Sequence, residues 1–161
     1  MILFQKDRLM IPETNRRVER STADSINARI RQQTHRNIAC VANRGRTAID
    51  RRLEELDREW DIERTLEANA ASLALSGIIL GATVNRRFYS LSGVVTGFLL
   101  MHAVQGWCPP LPILRRMGIR TAAEINEERY ALKALRGDFL PITSGRSVSS
   151  NIQRSIAATQ Q

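Results

Sequence analysis

Aromatic residues make up only 5% of this 161-residue chain, and lysine is nearly absent: of 24 basic residues, all but Lys6 and Lys133 are arginine. So few aromatics leave little with which to stack unpaired bases, which argues against a single-strand nucleic-acid binder. Two cysteines, Cys40 and Cys108, are too few for a disulfide framework, and reduced thiols are the expectation for a cytoplasm-facing chain. The opening Met1-Ile2-Leu3-Phe4 is too short an apolar run for a secretory leader, and Lys6, Asp7 and Arg8 follow at once. No phosphate-cradling glycine loop and no nucleophile elbow occur. His35 and Cys40 stand five apart with no further ligand near in sequence, so neither a metal nor a cofactor is expected.

The most informative absence is charge in the middle of the chain. Residues 68–114 carry only Arg86 and Arg87, although the whole chain has a net charge of +8. The stretches on either side of that arginine pair, 68–84 and 88–107, each approach the roughly 20 apolar residues that a helix needs to cross a bilayer. This predicts an all-α protein: a two-span transmembrane hairpin with amphipathic cytoplasmic helices before and after it. The regions are an N-terminal arm (1–23), basic then acidic amphipathic helices (24–67) and the hairpin (68–107). A Cys-Pro turn with a C-terminal amphipathic helix (108–139) and a flexible tail (140–161) follow. A soluble hairpin buried by other helices is the competing reading, but the rest of the chain offers only amphipathic segments to cover it.

Small residues suggest how the spans pack. Ala70, Ala74, Gly77 and Gly81 form one stripe, and Ser90, Gly93 and Gly97 another. Gly77 with Gly81, and Gly93 with Gly97, are small-xxx-small pairs that let helix backbones approach closely in lipid. The stripes fit either closure of the hairpin or a homodimer. Orientation follows the arginines: Arg51, Arg52, Arg58, Arg64, Arg115, Arg116 and Arg120 flank the outer ends, against Arg86 and Arg87 in the turn. That excess places both termini in the cytoplasm. Trp107, Arg86, Arg87, Arg115 and Arg116 are the expected interfacial anchors.

In the flanks, residues 24–43 read as a basic helix stopped by Gly45, and 47–67 as one acidic helix. Ile49, Leu53, Leu56 and Trp60 make its apolar stripe. Glu55, Glu59, Glu63 and Glu67 run beside it, four apart, and like charges at that spacing call for cations nearby. Either the local arginines supply them or the basic helix folds back at Gly45. After the hairpin, Pro109, Pro110 and Pro112 break the helix. Thr121-Ala122-Ala123-Glu124 reads as a capping box opening a helix from 122 to about 136, closed by Gly137. Its apolar face would carry Ile125, Leu132, Leu135 and Phe139.

Cys108 is the one candidate reactive thiol, with Arg115 and Arg116 downstream to favour its thiolate. His102 lies six residues earlier, and on a continuous helix the two side chains would point well apart. His102 instead reads as a polar group bonding across the hairpin or reaching the interface.

The segment Gln105-Gly106-Trp107-Cys108-Pro109, followed by Leu114 and Gly118-Ile119-Arg120-Thr121, resembles the membrane domain of bacterial inner-membrane rhodanese proteins of the YgaP type. The resemblance covers roughly residues 48–121. It implies a two-helix hairpin in the bacterial inner membrane and a tendency to self-associate. It does not carry over sulfur transfer, because residues 1–47 are too short and basic for a rhodanese domain and Cys40 does not sit in such an active-site loop. It assigns Cys108 no reaction.

The expectation is therefore a non-enzymatic, multi-pass membrane anchor, scaffold or accessory subunit. Its partners would be membrane lipid and further copies of itself or a larger membrane complex. A thiol or sulfur-relay role at Cys108 is the first alternative, and a basic nucleic-acid-binding module the second.

Overall fold

The computed structural model describes residues 16–139, so the tail from 140 and most of the N-terminal arm lie outside the described residues. Among the described residues the chain is all helical. In order it forms α1 (Arg17–Arg20), α2 (Asp24–Ala42), α3 (Arg46–Arg58) and α4 (Ile62–Thr83). A 3-10 turn (Arg86–Phe88) then leads to α5 (Tyr89–Gln105), α6 (Leu111–Arg116) and α7 (Ala122–Arg136). These residues fall into two compact units: one of 16–30 and 60–123, the other of 31–59 and 124–139.

The first unit is built on the α4–α5 hairpin. Asp61 opens α4 by accepting a hydrogen bond from the Arg64 amide at 2.8 Å. The helix ends at Thr83, and Asn85 caps the turn by accepting from the Arg87 amide at 2.9 Å. Both helices are long and apolar enough to cross a membrane. They pack through Gly77 and Gly81. A Cβ on Gly77 would lie 2.5 Å from Ser92 Oγ and 3.1 Å from the Phe88 carbonyl oxygen, and one on Gly81 would lie 2.7 Å from the Tyr89 ring. Ser92 completes the contact by donating to the Ala74 carbonyl oxygen at 2.8 Å. Gly93 and Gly97 do not share in this: a Cβ on either meets nothing within 4 Å. Ser90 is likewise exposed and donates to the Arg87 carbonyl oxygen at 2.6 Å. Gly77 and Gly81 of α4 thus close the hairpin, and Ser90, Gly93 and Gly97 of α5 face outward.

The second unit has an ordinary water-soluble pattern. Ile49, Leu53 and Leu56 of α3 meet Ile125 and Leu132 of α7 in a buried cluster, with Ile38 and Val41 of α2 against it. The reversal from α2 to α3 uses Gly45 at a φ of 86°, where a side chain is strained. Arg52 grips the fully buried Glu128 with two hydrogen bonds, at 2.8 and 3.3 Å. Arg129 reaches Asp57, and Arg136 reaches Asp50 and Asp138. Leu135, expected on the apolar face of α7, is instead 58% exposed.

Three local expectations are corrected. The helix expected over 47–67 is two helices, because Glu59 turns extended (ψ 128°) and Asp61 starts a new one. Trp60 therefore leaves the apolar stripe and lies exposed, with the Arg64 guanidinium 4.4 Å above its ring. The proline run is not what stops α5: left-handed Gly106 does so three residues earlier, and Pro112 falls in the first turn of α6, where its missing N–H costs nothing.

Candidate functional site

The polar centre of the first unit lies where α4 begins and α5 ends. Glu63, in the first turn of α4, bridges two groups. Arg17 Nη2 donates to its Oε1 at 2.9 Å, and His102 Nε2 donates to its Oε2 at 2.8 Å. An ionised carboxylate only accepts hydrogen bonds, so this contact places a proton on Nε2. His102 is 2% exposed, and its other nitrogen, Nδ1, is buried without a hydrogen-bond partner.

Cys108 interacts with the same imidazole. The expectation that Cys108 and His102 point apart is thereby overturned. It rested on a continuous helix, whereas α5 ends at Gln105 and Gly106 turns left-handed, with a φ of 77°. The Gly106 amide donates to the His102 carbonyl oxygen at 2.7 Å, and the chain then folds back so that Cys108 lies 4% exposed beside the last turn. Gly106 is required twice, since a Cβ there would also lie 2.6 Å from Arg17 Cβ.

Cys108 also belongs to an apolar cluster with Val18, Ile62, Leu66 and Leu111. A cavity of about 450 Å³ opens beside it, lined by residues that include Leu66, Leu73, Val94, Phe98, Cys108 and Pro109. Asn69 also lines it, with its side chain donating to the Thr65 carbonyl oxygen at 2.7 Å.

The expected anchors divide. Arg86, Arg87 and Arg116 are exposed, and Trp107 is 41% exposed just past the end of α5. Arg115 is corrected from interfacial anchor to internal brace. Its side chain is fully buried, donating to Asn27 Oδ1 at 2.9 Å and to the Ile119 carbonyl oxygen at 3.0 Å. Ala70 and Ala74 are half-buried on α4. Both cysteines are free thiols, Cys40 exposed on α2 and Cys108 buried. Among the described residues no three His, Cys, Asp or Glu side chains gather as metal ligands.

Sequence reasoning missed Glu63 and Arg17 as parts of this site. The available signal was His102 itself, since an ionisable side chain at the end of a long apolar helix needs a partner. Compared with known proteins, the chain matches no family model, no curated protein and no solved structure.

Proposed function

We propose that this protein is a bacterial inner-membrane hairpin that anchors or assembles, crossing the bilayer twice with both termini in the cytoplasm. One observation carries the reading: the hairpin's large apolar side chains are on its outside. Leu73, Leu75, Ile78 and Ile79 of α4 are about half exposed or more, as are Val94 and Leu100 of α5. Only 17% of the most apolar stretch of the helix ending at Thr83 is buried, and 6% of that in the 86–105 helix. A core helix of a soluble protein would be mostly covered; these faces suit lipid. The arginine excess at the outer ends supports the orientation.

Self-association is the second part of the proposal. Gly93 and Gly97 leave a smooth strip on the outside of α5, which suits close backbone approach by a second copy or by a helix of a larger membrane complex.

The deciding experiment is washing of membranes from cells expressing the protein with carbonate and then urea. Retention in the pellet is expected; release into the supernatant would overturn the hairpin and its topology together.

A further inference from the structure

We propose that Cys108 is an acceptor for a long-chain acyl group delivered as a thioester, with the chain lodged in the cavity between α4, α5 and the Cys-Pro turn. The proposal rests on the membrane reading for access of the chain to the cavity.

Three features lead to that chemistry. First, the thiol is not isolated. It lies close enough to His102 to interact with the ring, without a hydrogen bond between them, and His102 has its Nε2–H tied to Glu63 and its Nδ1 buried without a partner. A nucleophile, a base and a group that orients the base are the parts of an activated thiol. Second, Cys108 forms part of the cavity wall, and the other walls are almost wholly apolar. Its volume of about 450 Å³ lies in the usual range for small-molecule pockets, roughly 300–1,000 Å³. Third, the cavity is long. From Leu66 to Leu73 its lining runs two turns of α4, roughly 10 Å at 1.5 Å per residue. A slot along a helix pair with a thiol at its end fits the carbonyl half of an extended hydrocarbon chain, with the reactive carbonyl at the thiol and the far end of the chain in lipid.

The step balances without an oxidant or reductant. The Cys108 thiol gives its proton to His102. The thiolate sulfur attacks the carbonyl carbon of the acyl thioester, and a new carbon–sulfur bond forms as the donor's carbon–sulfur bond breaks. The departing thiolate takes the proton from His102. One thioester is exchanged for another. Glu63 is a positioning residue, holding the ring in the tautomer that leaves Nδ1 open.

The test uses the full chain in phospholipid vesicles, incubated with palmitoyl-coenzyme A and read by intact-mass and peptide mass spectrometry. The expected result is a hydroxylamine-sensitive adduct on Cys108. Exposure alone would favour Cys40, so an adduct there in preference to Cys108 overturns the proposal. His102→Gln should slow the adduct about a hundredfold, at the low end of what a general base contributes. Glu63→Ala should slow it too, with Glu63→Gln restoring most of the rate because its amide oxygen still accepts from Nε2. Ala70→Phe, which fills the slot, should shift acceptance from palmitoyl towards shorter acyl donors. Equal labelling by acetyl- and palmitoyl-coenzyme A in the unaltered protein would overturn the role of the cavity. A persulfide formed from a sulfane donor, with no acyl adduct, would assign the thiol to sulfur chemistry instead. Carbonate washing of the same samples separates the two proposals: retained but unacylated protein defeats this one alone, whereas extracted protein defeats the membrane reading.

Discussion

The two units of this protein are built for different surroundings. In the unit of residues 31–59 and 124–139, Ile49, Leu53, Leu56, Ile125 and Leu132 are inside, and Asp50 and Asp57, which pair with its arginines, are at the surface. In the hairpin, Leu75, Ile79, Val94 and Leu100 are outside, while Glu63, His102 and the Ser92 hydroxyl are turned inward to partners. Water drives the first arrangement through apolar burial. It would oppose the second. On the proposed membrane reading each arrangement suits its own solvent, so substitutions should have opposite signs in the two places.

The largest expected effect is in the water-facing unit. Arg52→Met leaves the buried Glu128 carboxylate without its two-pronged partner, at a cost of roughly 3–5 kcal/mol. Hydrogen exchange at the amides of α3 and α7 should report the loss, with membrane retention unchanged. A loss below about 1 kcal/mol would reduce the pair to an ordinary surface contact.

Next is an arginine on the hairpin's outer face. Leu100 is 65% exposed, and in water Leu100→Arg would be nearly neutral. In lipid it costs up to about 2.5–3.5 kcal/mol of insertion, least if the guanidinium reaches the interface. Reduced recovery in washed membranes is expected, and unchanged recovery with higher solubility would break the comparison.

The glycine pairs sharpen it within the hairpin. Gly77→Leu drives a side chain into Ser92 and the Phe88 backbone, and overpacking of this kind costs about 1–3 kcal/mol. Cysteine crosslinking between α4 and α5 should fall. Gly97→Leu meets nothing within the chain, so that crosslinking should persist while crosslinking between copies falls. The reverse pattern would exchange the roles of the two pairs.

Sequence reading reached the helical class and the two candidate spans because both depend on composition over some 20 residues. The helix it expected from 122 to about 136 is α7, Ala122–Arg136, because a threonine before the helix and a glycine after it mark its ends locally. It did not reach the break at residues 59–61, where the glutamate stripe Glu55, Glu59, Glu63 and Glu67 ran with helical period across the gap. Nor did it reach the His102–Cys108 pairing, since a left-handed glycine resets direction in a way that counting 100° per residue cannot follow. Whether glycines face inward or outward was also beyond it, because both stripes have the same period and only packing tells them apart.

The smallest effect comes from acid. Arg136, then the nearby positive charges of Lys133 and Arg46, hold the Asp138 carboxyl below the ordinary aspartate range. Arg136 also donates to Asp50 at 2.7 Å. Because the folded value is depressed, the contribution of Asp138 to stability is fully present above the unfolded value, near pH 4. It is lost as pH falls through the lower folded value, and no stability is gained on raising the pH. The C-terminal end of α7 should therefore exchange its amides faster, relative to the rest of the helix, as pH drops below about 4. Asp138→Asn should flatten that dependence while leaving exchange in the hairpin unchanged. If the slope survives the substitution, Asp138 is not the carboxylate behind it, and the coupling to Arg136 does not set the acid sensitivity of this end of α7.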